Sequence, residues 1–138
     1  MNKKLTVCLD SNILVSALGF GGKPFTIVEL AFQKEFLLVL SNPILEEVHR
    51  NLVNKIGLKS AEVDRFIDTV TEAATLFSPK GLTKILNDEK DDLVIETALM
   101  GFANVLVTGD KAIVELKSVS DLKIESTSVF LRRFQKKS

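Results

Sequence analysis

One cysteine and one histidine are all that the 138-residue chain offers for cross-linking or for gripping a soft metal. The lone Cys8 excludes an internal disulfide, and its place inside an apolar run marks it as a small core residue suited to a reducing cytosol. The lone His49 makes no zinc-type cluster and, on the outer flank of its helix, is expected in solvent. An excess of one charge is missing too, since Lys plus Arg and Asp plus Glu number 18 each. That balance gives no footprint for a polyanion, though it leaves room for a local basic patch. No run of 18 apolar residues occurs, and the short apolar stretch after the basic MNKK opening contains Asp10, unlike a signal-peptide core. A soluble, cytoplasmic protein with no membrane partner is therefore expected. Internal repeats and low-complexity tracts are absent, and the basic RRFQKKS ending is expected to be a solvated end.

What remains, 46% apolar residues over the length of one domain, is enough for a real core, so residues 1–138 are expected to form a single domain. Leu5 to Leu9 is a compact, β-branched run that breaks at Asp10, Ser11 and Asn12 before helical character resumes from Ile13: a buried strand, a polar corner and a helix. The following GFGGKP resembles a phosphate loop only superficially, because Pro24 stands where Ser or Thr would follow the lysine. Pro24 is expected to open a second helix to about Glu35, followed by a strand over 36–40. Asn42 and Pro43 then start a helix whose buried face is Ile44, Val48 and Leu52. Glu47 lies at the edge of that face and Glu46 nearly opposite. Ser60 is expected to cap a long helix, a short strand to follow over 75–78, and a strand over 122–124 and a final helix from Ser126 to close the chain. Strands alternating with helices predict an α/β sandwich, its mostly parallel sheet covered on both faces.

The most informative stretch is Asn87–Asp110, NDEKDDLVIETALMGFANVLVTGD. Asp88 is placed to cap a helix on which Val94, Ile95, Ala98 and Phe102 share one face. Asp91 falls on that face, four residues before Ile95. Asp92 is turned about 100° away, and needs no partner if it meets solvent. The strand Val105 to Val107 ends in Thr108, Gly109 and Asp110, and carboxyl ends of parallel strands are where ligands sit. Asp10 and Asp110 would thus follow strand ends, with Asp91 and Glu47 converging from helix starts. Four carboxylates at one end of a sheet repel unless a cation sits among them, and an oxygen-only set suits Mg²⁺ or Mn²⁺. Each acid also has an ordinary reading. Asp10 can cap a helix, Glu47 can be a surface acid, Asp91 can serve the helix dipole and Asp110 can be a turn residue. Their shared location is the argument for chemistry.

LDSNILVSA at 9–17, ILEEV at 44–48 and DDLVIETALMGFANVLVTGD at 91–110 resemble the PIN domain family, particularly the single-domain, VapC-like ribonucleases that act as toxins in prokaryotic toxin–antitoxin pairs. The resemblance spans nearly the whole chain. It implies a sheet of about five parallel strands and metal-dependent hydrolysis of RNA phosphodiester bonds. It also implies a cognate antitoxin as partner, and a second copy of the chain is admitted as another. On the family pattern Asp10, Glu47, Asp91 and Asp110 match the acidic catalytic positions, with the Mg²⁺ or Mn²⁺ expected on Asp10, Asp91 and Asp110; Asn12 and Thr108 match supporting polar positions. Two other readings compete. A haloacid-dehalogenase-like phosphotransferase would use Asp10 as nucleophile but expects an aspartate where Asn12 stands. A catalytically inactive PIN-fold module would bind RNA or a protein partner without cleaving.

Overall fold

The apolar runs become strands buried on both faces. In the computed structural model, which describes residues 4–135, β1 (Thr6–Leu9), β2 (Leu37–Ser41), β3 (Ala74–Phe77), β4 (Val105–Val107), β5 (Ser118–Val119) and β6 (Leu122–Glu125) form one sheet. Their order is β3-β2-β1-β4-β6-β5, parallel throughout except for the β5–β6 hairpin. The sheet thus has six strands rather than about five. The extra one is a two-residue strand whose sequence carries no alternation to announce it. Val7, Cys8, Leu9 and all of β4 are buried, as a parallel sheet covered by helices on both sides requires.

Among the described residues six α-helices lie between strands and a seventh follows the last: α1 (Ser11–Phe20), α2 (Gly22–Phe32), α3 (Asn42–Asn51), α4 (Ser60–Ala73), α5 (Glu89–Met100), α6 (Lys111–Val114) and α7 (Thr127–Leu131). Between α1 and α2 the axis turns by 106°. Gly21 and Gly22 make that turn at φ of 77° and 67°, a backbone that a side chain would strain, so the glycine pair is a corner rather than a phosphate loop. Helix α2 consequently starts at Gly22, ahead of Pro24. Ser41, not Asn42, precedes α3, and its hydroxyl is engaged elsewhere: it donates at 3.0 Å to the buried Thr97 hydroxyl, whose own proton goes to the Leu93 carbonyl, tying α5 to the end of β2. Lys59 rather than Ser60 occupies the position before α4, with no side-chain cap. Among the described residues no single helix is long and apolar enough to cross a membrane.

Two corrections concern the ends of elements. Helix α5 stops at Met100, and Phe102 lies 88% exposed at φ 51°, off the core face assigned to it. The chain turns there because the Ala103 amide donates back to the Ala98 carbonyl at 2.9 Å, the closing bond of a left-handed helix stop. The basic ending is also less solvated than expected. Arg133 makes a two-pronged pair with Glu125 and lies 5.7 Å over the Phe130 ring. Residues 1–3 and 136–138, with the first part of the basic opening and the last part of the tail, lie outside the described residues.

The topology fixes where a site can form. Chain order runs from β1 outward through β2 and β3, then crosses to the other side of β1 at β4. The carboxyl ends of β1 and β4 therefore flank a switch in strand direction of progress, the crevice in which open α/β sheets place ligands.

Candidate active site

At the mouth of that crevice Asp10 follows β1, and its backbone amide donates to the Val107 carbonyl at 3.0 Å, so β1 and β4 stay joined past their last paired residues. The Asp10 carboxylate is 5% exposed. Its Oδ1 accepts the Ser11 amide at 2.7 Å and so caps α1; its Oδ2 accepts the Thr108 hydroxyl at 2.6 Å and the Asn12 side-chain amide at 3.3 Å. The capping and cleft-forming readings of Asp10 are therefore compatible. Asn12 reaches on to the turn after β4, where its Oδ1 accepts the Gly109 amide at 3.1 Å, while the Asp110 amide donates to the Thr108 hydroxyl at 3.0 Å. Asp110 in turn caps α6 by accepting the Ile113 amide at 3.2 Å. Asn12 and Thr108 thus hold Asp10 and the Thr108–Asp110 turn in one hydrogen-bonded unit.

Asp10, Glu47, Asp91 and Asp110 all line a single open cleft, together with Asn51 and Lys55. Lys55 belongs to a π-helical turn, Leu52–Ile56, that prolongs α3 and ends at Gly57. Ser11 is the residue that sequence reasoning missed. Its hydroxyl is in reach of both Asp10 and Glu47, and since it has one proton it donates to Glu47, the nearer partner. The other Glu47 oxygen faces the Lys90 ammonium at 3.6 Å. A serine between an aspartate and an asparagine looks like capping sequence, so its reach to a helix 36 residues on leaves no sequence signal.

The electrostatics follow from crowding. Burial pushes the Asp10 carboxyl above its ordinary range; hydrogen bonds from Thr108 and Ser11 pull against this, and Glu47 and Asp110 add to the rise. Asp91 is pushed up to about 6, first by burial, then by the charges of Asp110, Asp88, Asp10 and Asp92. Among the described residues no three His, Cys, Asp or Glu side chains close into a ready cage for a metal ion. The donor set nevertheless fits a hard cation that keeps several waters: the ligating atoms on offer are oxygens, and among the described residues the cationic side chains lining the cleft are Lys55 and Lys90.

Asp92 requires a correction. It is not turned to solvent but is 5% exposed, and its Oδ1 accepts the amides of Ile85 and Leu86 at 3.2 and 2.8 Å. One turn later, the equally buried Glu96 accepts the amides of Lys80 and Gly81 at 2.6 and 3.2 Å through one oxygen and Thr83 at 2.9 Å through the other. Burial pushes the Glu96 carboxyl up, but the N–H groups of Thr83, Lys80 and Gly81 outweigh it and hold it below its ordinary value. The helix therefore presents Asp91 to the cleft and uses Asp92 and Glu96 to clamp the loop before it. Of the remaining polar residues, Glu46 is exposed and His49 pairs with Asp64 at 3.0 Å, away from the acids.

No curated protein matches the chain by sequence. In fold it is similar to a chain of the crystal structure of VapBC2 from Rickettsia felis bound to a DNA fragment from their promoter. The TM-score is 0.61 at 18% identity, and the likeness covers 88% of this chain and 98% of that one. The sequence profile described as "PIN domain" matches residues 6–112, from the first residue of β1 through the turn that carries Asp110, and by that match the chain belongs to the PIN domain family.

Proposed function

We propose that the chain is a metal-dependent endoribonuclease, the toxin of a toxin–antitoxin pair. The observation that carries this reading is the shared cleft of Asp10, Glu47, Asp91 and Asp110 at the strand switch of a PIN domain. A bound Mg²⁺ or Mn²⁺ would neutralise charge developing on a phosphate and make a bound water more acidic. Asp10, Asp91 and Asp110 would hold it, Asp10 being already aimed by Thr108, Ser11 and Asn12. Glu47 is left outside that set, because one oxygen accepts from Ser11 and the other faces Lys90. Its part is to fix the edge of the cleft and to order water against the phosphate. The fold likeness to a chain of a VapBC2 complex supports an antitoxin protein as the partner and an intracellular place of action.

The test is incubation of a diverse RNA pool with the purified chain and with Asp10→Asn, in Mg²⁺, Mn²⁺ or chelator, read on gels. Cleavage is expected only with the ion, and Asp10→Asn should lower it by about 100-fold or more. Its melting temperature in chelator should change little, since the relieved repulsion is offset by the lost acceptor for Thr108 and Asn12. Asp68→Asn, an exposed acid on α4, is the control and should cleave as the wild type does. Asn caps a helix about as well as Asp, so a capping role alone predicts full activity in Asp10→Asn. Full activity there sinks the catalytic reading, and RNA bound without cleavage by the wild type would establish the inactive binding module instead.

A further inference from the structure

The acid cleft opens on one side into a second cleft of about 190 Å³ between the N-terminal turns of α3 and α5. Ser11, Glu47, Lys90 and Val94 line both, so the two are continuous, with the Glu47–Lys90 pair on the shared wall. Beyond that wall the surface changes character. Pro43, Ile44, Leu93 and Val94 make apolar sides, and Arg50 and Glu46 stand exposed on the rim. No carboxylate among the described residues pairs with Arg50, whereas Lys90 is committed to Glu47. Two acids and two bases leave the slot near neutrality. What it offers is therefore a small apolar surface, with one unengaged guanidinium beside it.

A nucleobase attached to a phosphate has that chemistry. An unpaired base can be held between apolar side chains as well as on aromatic rings, with cations tracking the backbone, and arginine suits phosphate through its planar fork. A base stacked in a duplex cannot enter such a slot, whereas one in a loop or a single strand can. We propose that this slot takes the base of an unpaired nucleotide next to the phosphate presented to the four acids, with Arg50 on the adjoining phosphate. That the neighbouring phosphate is presented to the acids rests on the nuclease reading of that cleft; the slot itself does not.

The experiment measures binding of a labelled ten-nucleotide RNA, single-stranded or in a duplex with its complement, to Asp10→Asn in Mg²⁺ across a salt series. The single strand should bind about tenfold tighter than the duplex. On the same background Arg50→Ala should weaken single-strand binding by about tenfold and lower the salt slope by roughly 0.7, the value of one phosphate contact. Leu93→Ala should weaken it about fivefold with the salt slope and duplex binding unchanged, and Leu93→Met should restore it. Melting curves show whether each variant is folded, and Arg50, being exposed, keeps the test decisive if Leu93→Ala is not. Equal affinity for both RNA forms, or affinity indifferent to Arg50 and Leu93, overturns the slot. RNA cleavage by the wild type alongside that indifference leaves the nuclease standing and removes only the slot. Selective single-strand binding by a chain that cleaves nothing does the reverse.

Discussion

Asp91 and Asp92 are neighbours in sequence and occupy opposite environments, one on a cleft crowded with like charge, the other accepting two amides of its own preceding loop. Their substitutions should separate accordingly. Asp91→Asn is expected to lower metal-dependent RNA cleavage by about 100-fold while leaving the melting temperature in chelator unchanged or raised, because the residue gives up repulsion rather than bonds. Asp92→Ala removes the acceptor of two half-buried amides and should cost about 1 kcal/mol of stability, seen in denaturant titration. The reverse pattern, stability lost with Asp91 and activity alone lost with Asp92, would exchange their roles. Helical phase was sufficient to bring Asp91 to the cleft from sequence, since a buried apolar stripe fixes the rotation of a helix. It was insufficient for Asp92, because the loop that covers it packs on a side of α5 that has no apolar signal. Burial there is made by backbone amides, which every sequence carries.

At the level of elements, α5 sits close to the sheet because Gly101 lets it. A Cβ at Gly101 would come within 2.5 and 2.9 Å of the two Val39 methyl carbons and 3.1 Å of the Phe77 ring. Its backbone is ordinary at φ −84°, so the demand is for space and not for conformation. Gly101→Ala is expected to destabilise the protein by about 2 kcal/mol through overpacking, and Val39→Ala in the same chain should recover part of that loss; thermal melting of the two single variants and the double variant checks the coupling. Strands β1, β2, β4 and β6 were legible as apolar runs bounded by polar corners. The hairpin partner β5 was not, since two residues cannot show a period. Phe102 was misplaced because three good spacings before it, Val94, Ile95 and Ala98, continue by arithmetic into a residue that the Ala103–Ala98 bond has already taken out of the helix.

For the whole molecule, the same carboxylates set how stability responds to acid and to metal. An acid whose folded pKa is raised binds a proton in the folded chain that the unfolded chain has released, so Asp91 makes stability fall as pH rises from about 4 to about 6. Partial exposure keeps that contribution to no more than about 1 kcal/mol, and Asp10 acts in the same direction. Glu96 opposes them, because its lowered pKa gives stability that is present above the ordinary glutamate value and lost as pH falls through the folded one. The stabilisation by Mg²⁺ over chelator is therefore expected to be negligible near pH 4.5 and full above pH 6.5, as read from melting temperatures across that range. A gap independent of pH would show that the ion is held by groups other than these. The clamp on the 80–86 loop also bears on how such a protein can drift over generations. Asp92 and Glu96 grip main-chain N–H groups, which nineteen of the twenty amino acids possess, so the exposed positions 80 and 85 are free to change to anything but proline without loosening the clamp. What the clamp asks of this loop is a path and not a spelling.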